Sequence, residues 1–249
     1  MRLNRFFLPG AVSGATMALP GDEAGHATRV LRVTAGTSVR VFDGQGHEFA
    51  AVVRSVGRSG VDVEVAEGVP APAAETMVSF TLVMAVLKGD HMDAVVRDAT
   101  MLGVTAVQPV VTERTEVQMA ALSGGRRRAR LERVAVSSTK QCGRAVVPQV
   151  LEPVDLPVLL RQWATEPAAE RFVFVEPNAA VETESVRDVG VPASRAATLV
   201  IGPEGGWSAP ELQALASRCR LVRLGARTLR ADAAPLVALT ALMTAWGDI

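Results

Sequence analysis

The segment TLVIGPEGGWS, Thr198 to Ser208, constrains the fold of this chain more than any other stretch. Thr198 to Ile201 is a short β-branched and apolar run bounded by glycine, which predicts a buried strand rather than a helix. Gly202-Pro203-Glu204-Gly205-Gly206 then forces a turn. Ser208 and Glu211 stand three apart, the spacing of a capping box, so a helix starts at Ser208 and tolerates Pro210 in its first turn. A strand that ends in a glycine-rich turn and opens a helix leaves backbone N–H groups uncovered by side chains, a geometry suited to an anion or a nucleotide-like ligand. The turn lacks the Gly-Lys-Ser/Thr ending of a phosphate-binding loop and does not fit G-x-G-x-x-G, so ATPase and ordinary dehydrogenase chemistries drop out. Taken alone, the turn is equally compatible with a tight connection that binds nothing.

It does not stand alone. Leu221 to Leu224 reads as a second strand, Gly225 to Arg230 as a loop carrying Arg227 and Arg230, and Asp232 as the start of another helix. That last helix is apolar on nearly every face through Leu236, Val237, Leu239, Leu242, Met243 and Trp246, so it is buried in the core or against a partner chain. Upstream, strand Phe80 to Val86, helix Asp90 to Leu102, strand Val104 to Val110, a charged helix from about Gly125 to Ser137 and strand Phe172 to Val175 alternate. Alternation of this kind, with continuous apolar strands, predicts an α/β domain with a parallel sheet covered by helices on both faces. Ligands in such sheets bind beyond the carboxyl ends of the strands. Glu176-Pro177-Asn178 follows one of them; if the strands ending at Val175, Ile201 and Leu224 are neighbours, three loops converge on one crevice.

Residues 1 to 68 read differently, as short β-type runs at Ser38–Phe42, Glu48–Val53 and Val61–Val65 separated by glycine turns, the pattern of a small β-barrel or sandwich. A Pro/Ala-rich stretch from Gly68 to Thr76 is the linker, which predicts domains at 1–72 and 73–249.

The whole chain of 249 residues is 49% hydrophobic and 21% charged, with a net charge of zero, so it is globular and any nucleic-acid site is a local patch. The candidate patch is Arg126, Arg127, Arg128, Arg130, Arg133, Lys140 and Arg144, interrupted by Glu132 alone. Such a run is either a solvated helix face or a phosphate-contacting surface. Two distant cysteines and the scattered His26, His47 and His91 predict no metal site, and the absence of a signal-peptide core or a membrane-length apolar run predicts a soluble cytoplasmic protein.

VIGPEGGWS followed by LGARTLRADAA resembles the C-terminal signature of the RsmE family, 16S ribosomal RNA uridine-N3 methyltransferases of the SPOUT (trefoil-knot) superfamily. The likeness extends to RFF at Arg5–Phe7, HATRVLRV at His26–Val33, LKGDHMD at Leu87–Asp93 and KQCGR at Lys140–Arg144, and so covers the chain. It departs in Asp232 and Met101, where the family usually or often carries Glu.

The resemblance implies an N-terminal PUA-like barrel that touches RNA and a C-terminal knotted methyltransferase domain. It implies S-adenosylmethionine held by Glu176, by Ile201, Gly202, Pro203, Glu204, Gly205 and Gly206, and by Leu224, Gly225 and Leu229. Arg230 and Asp232 would act on the uracil, with Asp232 as proton acceptor or as cap of the last helix. RNA would be contacted by Arg5, Arg29, Arg32, Arg126, Arg127, Arg128, Arg130, Lys140 and Arg144. The partners implied are 16S ribosomal RNA or the small ribosomal subunit and a second copy of the chain, paired through the C-terminal domain with Trp246 at or near the contact. A SPOUT enzyme with another target, such as a ribose hydroxyl, and a noncatalytic RNA-binding assembly factor are the rival readings.

Overall fold

A computed structural model of the protein describes residues 3–58, 60–122, 124–166 and 169–249. The chain forms two compact units, residues 1–75 with 136–147 and residues 76–135 with 148–249. A single cut after residue 72 therefore misses one exchange: a short internal stretch counts with the first unit.

The first unit is built on a five-stranded sheet of β1 (Arg5–Phe7), β2 (Thr16–Ala18), β3 (Ser38–Phe42), β4 (Glu48–Gly57) and β5 (Gly60–Val69), in the order β1-β3-β4-β5-β2. β1 pairs parallel to β3 and the other ladders are antiparallel. Alternate residues of β5, Val61, Val63 and Val65, are fully buried, as a sheet with one covered face requires. Between β2 and β3 lies a helix that the β-type reading of this segment did not anticipate, α1 (Gly21–Arg29). It buries only Glu23, Ala24 and Ala27, too few apolar positions to reveal the helical period, while Asp22 and Glu23 suit the dipole of its first turn.

The second unit holds β6 (Ser79–Ala85), α2 (His91–Met101) and β7 (Val104–Val111), then α3 (Arg126–Cys142), which is divided between the units after Ala135. β8 (Gln149–Val150), β9 (Val154–Asp155), α4 (Leu156–Thr165), β10 (Glu170–Phe174), β11 (Glu184–Ser185) and β12 (Ala196–Ile201) follow, then α5 (Ala209–Ala216), β13 (Arg220–Arg223) and α6 (Ala234–Trp246). The strands pair in parallel in the order β11-β13-β10-β12-β6-β7-β8, with β9 also on β7. In this unit the strands that sequence alone predicts are present within a residue or two, whereas β4 and β5 of the first unit run four residues beyond their expected ends; β8, β9 and β11, two residues each, are too short to carry a period.

Side-chain alternation assigns the two faces of the sheet. Val83, Ala85, Val173 and Val200 pack with Leu156, Leu159 and Trp163 of α4 and with Leu212 and Leu215 of α5. On the other face the Trp246 indole of α6 stacks on Phe80 at 5.6 Å between ring centroids and tilts against Phe172 at 6.3 Å. The indole N–H donates to the Val189 carbonyl at 2.8 Å, which satisfies its one polar atom. Trp246 is thus buried in the core of its own chain; the exposed large apolar residues of α6 are Leu236 and Val237. α6 ends at Gly247, whose φ of 74° is the left-handed stop that glycine supplies.

Candidate active site

β13, β10 and β12 are adjacent, so the three loops beyond their carboxyl ends meet, as the sequence reading required. They line one cavity of about 400 Å³ together with Leu87, His91 and the start of α6. Phe174, Val175, Glu176 and Pro177 come from the β10 end, Ile201, Gly202, Pro203, Glu204, Gly206 and Trp207 from the β12 end, and Leu224, Gly225, Arg227, Thr228, Leu229, Arg230 and Asp232 from the β13 end. Nine of the ten residues expected to hold a cofactor line this space, Gly205 being the exception.

The glycine turn is built from within. A Cβ on Gly202 would lie 3.0 Å from the Trp207 indole, which is buried and donates its N–H to the Phe174 carbonyl at 3.2 Å, tying the end of β12 to the end of β10. Gly206 has φ +67°, and a Cβ there would stand 2.9 Å from Cδ of Glu176. Two independent constraints therefore demand glycine at 206. Gly205 has no such backbone angle; a Cβ there would meet Cβ of Arg114 at 3.0 Å, and Arg114 donates to the Gly205 carbonyl at 3.0 Å. Gly205, expected among the residues that hold the cofactor, faces the loop after β7, and Gly206 lines the cavity.

Ser208 and Glu211 occupy the N-cap and third positions of α5, as their spacing predicts. Glu211 accepts from the Ser208 N–H at 3.0 Å and, with its other oxygen, from the Glu113 N–H at 2.8 Å, so one carboxylate holds both the helix start and the loop after β7.

On the opposite wall, Arg230 grips Asp232 through two hydrogen bonds, Nε to Oδ1 at 3.0 Å and Nη2 to Oδ2 at 2.9 Å. These bonds hold the Asp232 carboxyl below the ordinary carboxylate range, with added attraction from the charges of Arg230 and His91. The alternative role of Asp232 as helix cap is corrected, because α6 starts at Ala234 and its N-cap is Ala233. His91, from the first turn of α2, places Nδ1 3.1 Å from Asp232 Oδ2. Sequence reasoning recorded His91 only as a scattered histidine. Its signal was present in LKGDHMD, but its partner lies more than a hundred residues downstream, and only the sheet order joins them.

The basic residues separate into groups. Arg5 is buried: it forks onto Glu48 at 2.7 and 3.2 Å and donates to the carbonyls of Thr139, Lys140 and Arg144 at 3.2, 2.9 and 2.7 Å. Arg144 is buried and pairs with Glu75 at 2.6 Å, and Lys140 pairs with a largely buried Glu23 at 2.8 Å. Their expected contact with RNA is corrected for Arg5 and Arg144, whose charges are enclosed and used to seat the last turn of α3 and the segment after it. Arg130 binds Asp93 and Asp90 at 2.6 and 2.7 Å, Arg128 binds Glu132 and Glu152, and Arg127 donates to the Leu87 carbonyl at 2.6 Å. Arg126 and Arg133 are exposed with no side-chain partner among the described residues. In the first unit Arg29 and Arg32 are exposed, Arg32 at a positive φ of 51°.

A family model described as RNA methyltransferase domain matches residues 74–243, and one described as RNA methyltransferase PUA domain matches residues 19–66. The ribosomal RNA small subunit methyltransferase E of Mycobacterium tuberculosis is 32% identical over 92% of this chain and 87% of its own length. The chain belongs to the RsmE family. Its fold agrees with solved members: an RsmE structure from Neisseria gonorrhoeae bound to S-adenosyl methionine has a TM-score of 0.85 at 31% identity, covering 98% of each chain. A putative methyltransferase from Legionella pneumophila in complex with the same cofactor has a TM-score of 0.87 at 27% identity, covering 99% of each. The second unit is accordingly the SPOUT-type methyltransferase domain of an RsmE protein and the first its PUA-like region. Among the described residues, no helix is long and apolar enough to cross a membrane.

Proposed function

We propose that this protein transfers a methyl group from S-adenosylmethionine to N3 of a uridine in 16S ribosomal RNA. The observation that carries the proposal is the convergence of three strand-end loops, holding the family's two signature motifs, on one cavity. The cavity suits the cofactor. Gly206 keeps side-chain bulk away from Glu176, Gly202 lies flat on Trp207, and Phe174, Ile201, Leu224 and Leu229 offer apolar surface between backbone polar groups. Residues 201–206, 224–229 and Glu176 are the proposed holding residues, with Gly205 acting through Arg114 rather than by contact. The bound cofactor supplies a methyl group already made electrophilic by its sulfonium, so no metal is needed and the protein's tasks are alignment and proton handling.

Arg230 and Asp232 form the proposed substrate side. Arg230 lies at the mouth, 73% exposed, where a guanidinium can meet a uracil oxygen or a phosphate. Asp232, already engaged by Arg230 and kept charged, is a weak base and serves better to orient a neighbour than to accept the proton. RNA is proposed to run over Arg29 and Arg32 of the PUA-like unit and over Arg126, with Arg127, Arg128, Arg130 and Lys140 contributing only so far as RNA phosphates displace their present carboxylate and carbonyl partners. The proposed partner set is completed by a second copy of the chain docked on Leu236 and Val237 of α6, and the proposed compartment is the cytoplasm, where ribosomal RNA is made and assembled. Sedimentation at micromolar concentration tests the dimer, which a monomer refutes.

The deciding experiment incubates the protein with labelled S-adenosylmethionine and either naked 16S RNA or small subunits, followed by nucleoside mass spectrometry. 3-Methyluridine at a single position is expected. A methylated ribose instead would replace the proposal with the rival target, and cofactor-independent RNA binding without transfer would replace it with an assembly role.

A further inference from the structure

The methyl transfer proposed above leaves one group unassigned: the acceptor of the uracil imide proton. A nitrogen that keeps its proton has no lone pair to offer, so the cavity must hold a base with a free lone pair. The carboxylates that line it are Glu176, which sits under Gly206 at the glycine-turn wall, Glu204, and Asp232, whose two oxygens face Arg230 and His91. Only His91 brings an imidazole to the same wall as Arg230.

We propose, resting on that functional reading, that His91 is the proton acceptor of the reaction and that Asp232, clamped by Arg230, is the positioning residue that fixes its tautomer. With Nδ1 3.1 Å from Asp232 Oδ2, the neutral imidazole carries its proton on Nδ1 toward the carboxylate and leaves the Nε2 lone pair free. The N3–H bond of uracil breaks toward Nε2, the N3 electron pair forms the bond to the methyl carbon, and the pair of the breaking methyl–sulfur bond stays on sulfur. The imidazolium formed lies beside a carboxylate that Arg230 keeps ionised, and it returns its proton to water. The arrangement of base, orienting carboxylate and fixed tautomer follows the logic of hydrolytic triads.

The charges around His91 permit this assignment. On its own helix and the turn before it, Asp90 and Asp93 are both taken by Arg130 of α3, and Lys88 is paired with Glu116 from the loop after β7. From the β13 side come Arg230 and Asp232. Asp232 is therefore the carboxylate directed at the ring, and the imidazole, 46% exposed, can be reached by a base entering the mouth of the cavity.

The test uses the full-length protein with three readouts. Nitrogen-15 NMR of the cofactor-free protein reads the ring tautomer: His91 should be protonated on Nδ1, and Asp232→Asn should release it to a mixture. Calorimetry with S-adenosylmethionine should give unchanged affinity for His91→Gln. Single-turnover methylation of small-subunit RNA should slow by about 10² to 10⁴-fold in His91→Gln, and the rise of rate with pH expected of the wild type should be absent from the variant. Equal rates, a slow variant that keeps the wild-type pH profile, or loss of cofactor affinity would each overturn the role of His91. Absence of 3-methyluridine formation by the wild-type protein would instead overturn the functional reading on which this rests, so the two failures are distinguishable.

Discussion

The glycine turn at 202–206 and the basic run at 126–144 look equally suggestive in the sequence, yet the structure treats them differently. The turn's meaning is carried by backbone: φ at Gly206, the flat approach of Gly202 to Trp207 and the cap at Ser208 are local, so the residues that imply a site also build it. The run's meaning depends on what faces it. Glu132 is its only acidic member, but Asp90, Asp93, Glu152, Glu23 and Glu75 arrive from elsewhere and take up Arg130, Arg128, Lys140 and Arg144. A local charge count describes a surface only if no distant partner folds onto it, whereas a backbone angle needs no partner.

The sharpest break in that comparison lies at Arg5, which was grouped with RNA-contacting residues and is instead an internal clamp. Arg5→Ala removes one of the two arginines on Glu48, whose side chain is fully buried, and takes a donor from each of the carbonyls of Thr139, Lys140 and Arg144. Breaking one side of a buried pair typically costs about 3–5 kcal/mol. Urea denaturation should show a loss of that size, and Arg29→Ala, at an exposed position, should show almost none. A stable Arg5→Ala protein with weakened RNA binding would return Arg5 to the surface group.

Within the turn itself, neighbouring glycines should behave as opposites. Gly206→Val places a β-branched side chain at φ +67° and against Glu176; left-handed strain alone is worth about 1–3 kcal/mol, and the collision adds to it. Affinity for S-adenosylmethionine should fall by at least about tenfold while the sheet stays folded. Gly205→Ala has only the Arg114 Cβ to displace by a few tenths of an ångström and should keep affinity within about threefold. Calorimetry on the pair decides: equal losses would mean that 205 also faces the ligand.

A third comparison sets the Arg230–Asp232 pair against the paired arginines of the run. Arg230 is the first cause of the lowered Asp232 titration, so Arg230→Ala should raise it toward the ordinary carboxylate range. The sign follows from linkage. A carboxyl lowered in the folded state contributes stability that is present above its unfolded titration and is lost as pH falls through the folded one. The Asp232 carboxylate should therefore stay ionised into more acid solution in the wild type than in Arg230→Ala, as read by carbon-13 NMR of the Asp232 carboxyl. An unmoved titration would show that Arg230 does not hold Asp232 in solution.

Much of the fold and site was legible because the informative residues act through near neighbours. Apolar runs such as Leu82–Ala85 and Leu199–Ile201 identify buried parallel strands, and the Ser208 and Glu211 spacing locates α5. What stayed hidden required tertiary partners: α1, whose buried face holds only Glu23 and two alanines; Arg114 under Gly205; and His91, brought to Asp232 by a sheet order that no local pattern encodes. The packing of Trp246 was hidden for the same reason. An all-apolar helix announces burial but not by what, and here Phe80 and Phe172 of its own sheet cover the indole.

The smallest expected effect tests what remains of the basic run. A phosphate contact with single-stranded RNA contributes about 0.7 to the slope of log affinity against log salt, because each neutralised phosphate releases condensed counterions. Arg126, Arg29 and Arg32 are exposed without a carboxylate partner among the described residues, so each is available to a phosphate at no cost in broken ion pairs. Arg130 must first leave Asp90 and Asp93, and its removal frees two carboxylates that themselves repel RNA. Replacing Arg126, Arg29 and Arg32 together should therefore flatten the slope by about 2, with cofactor affinity unchanged. Arg130→Ala should weaken binding with little change of slope, since a guanidinium held by Asp90 and Asp93 neutralises no phosphate and releases no counterion. If instead Arg130→Ala flattens the slope as much as Arg126→Ala does, the ion pairs with Asp90 and Asp93 open on RNA binding, and the run acts as the continuous phosphate surface its sequence suggests.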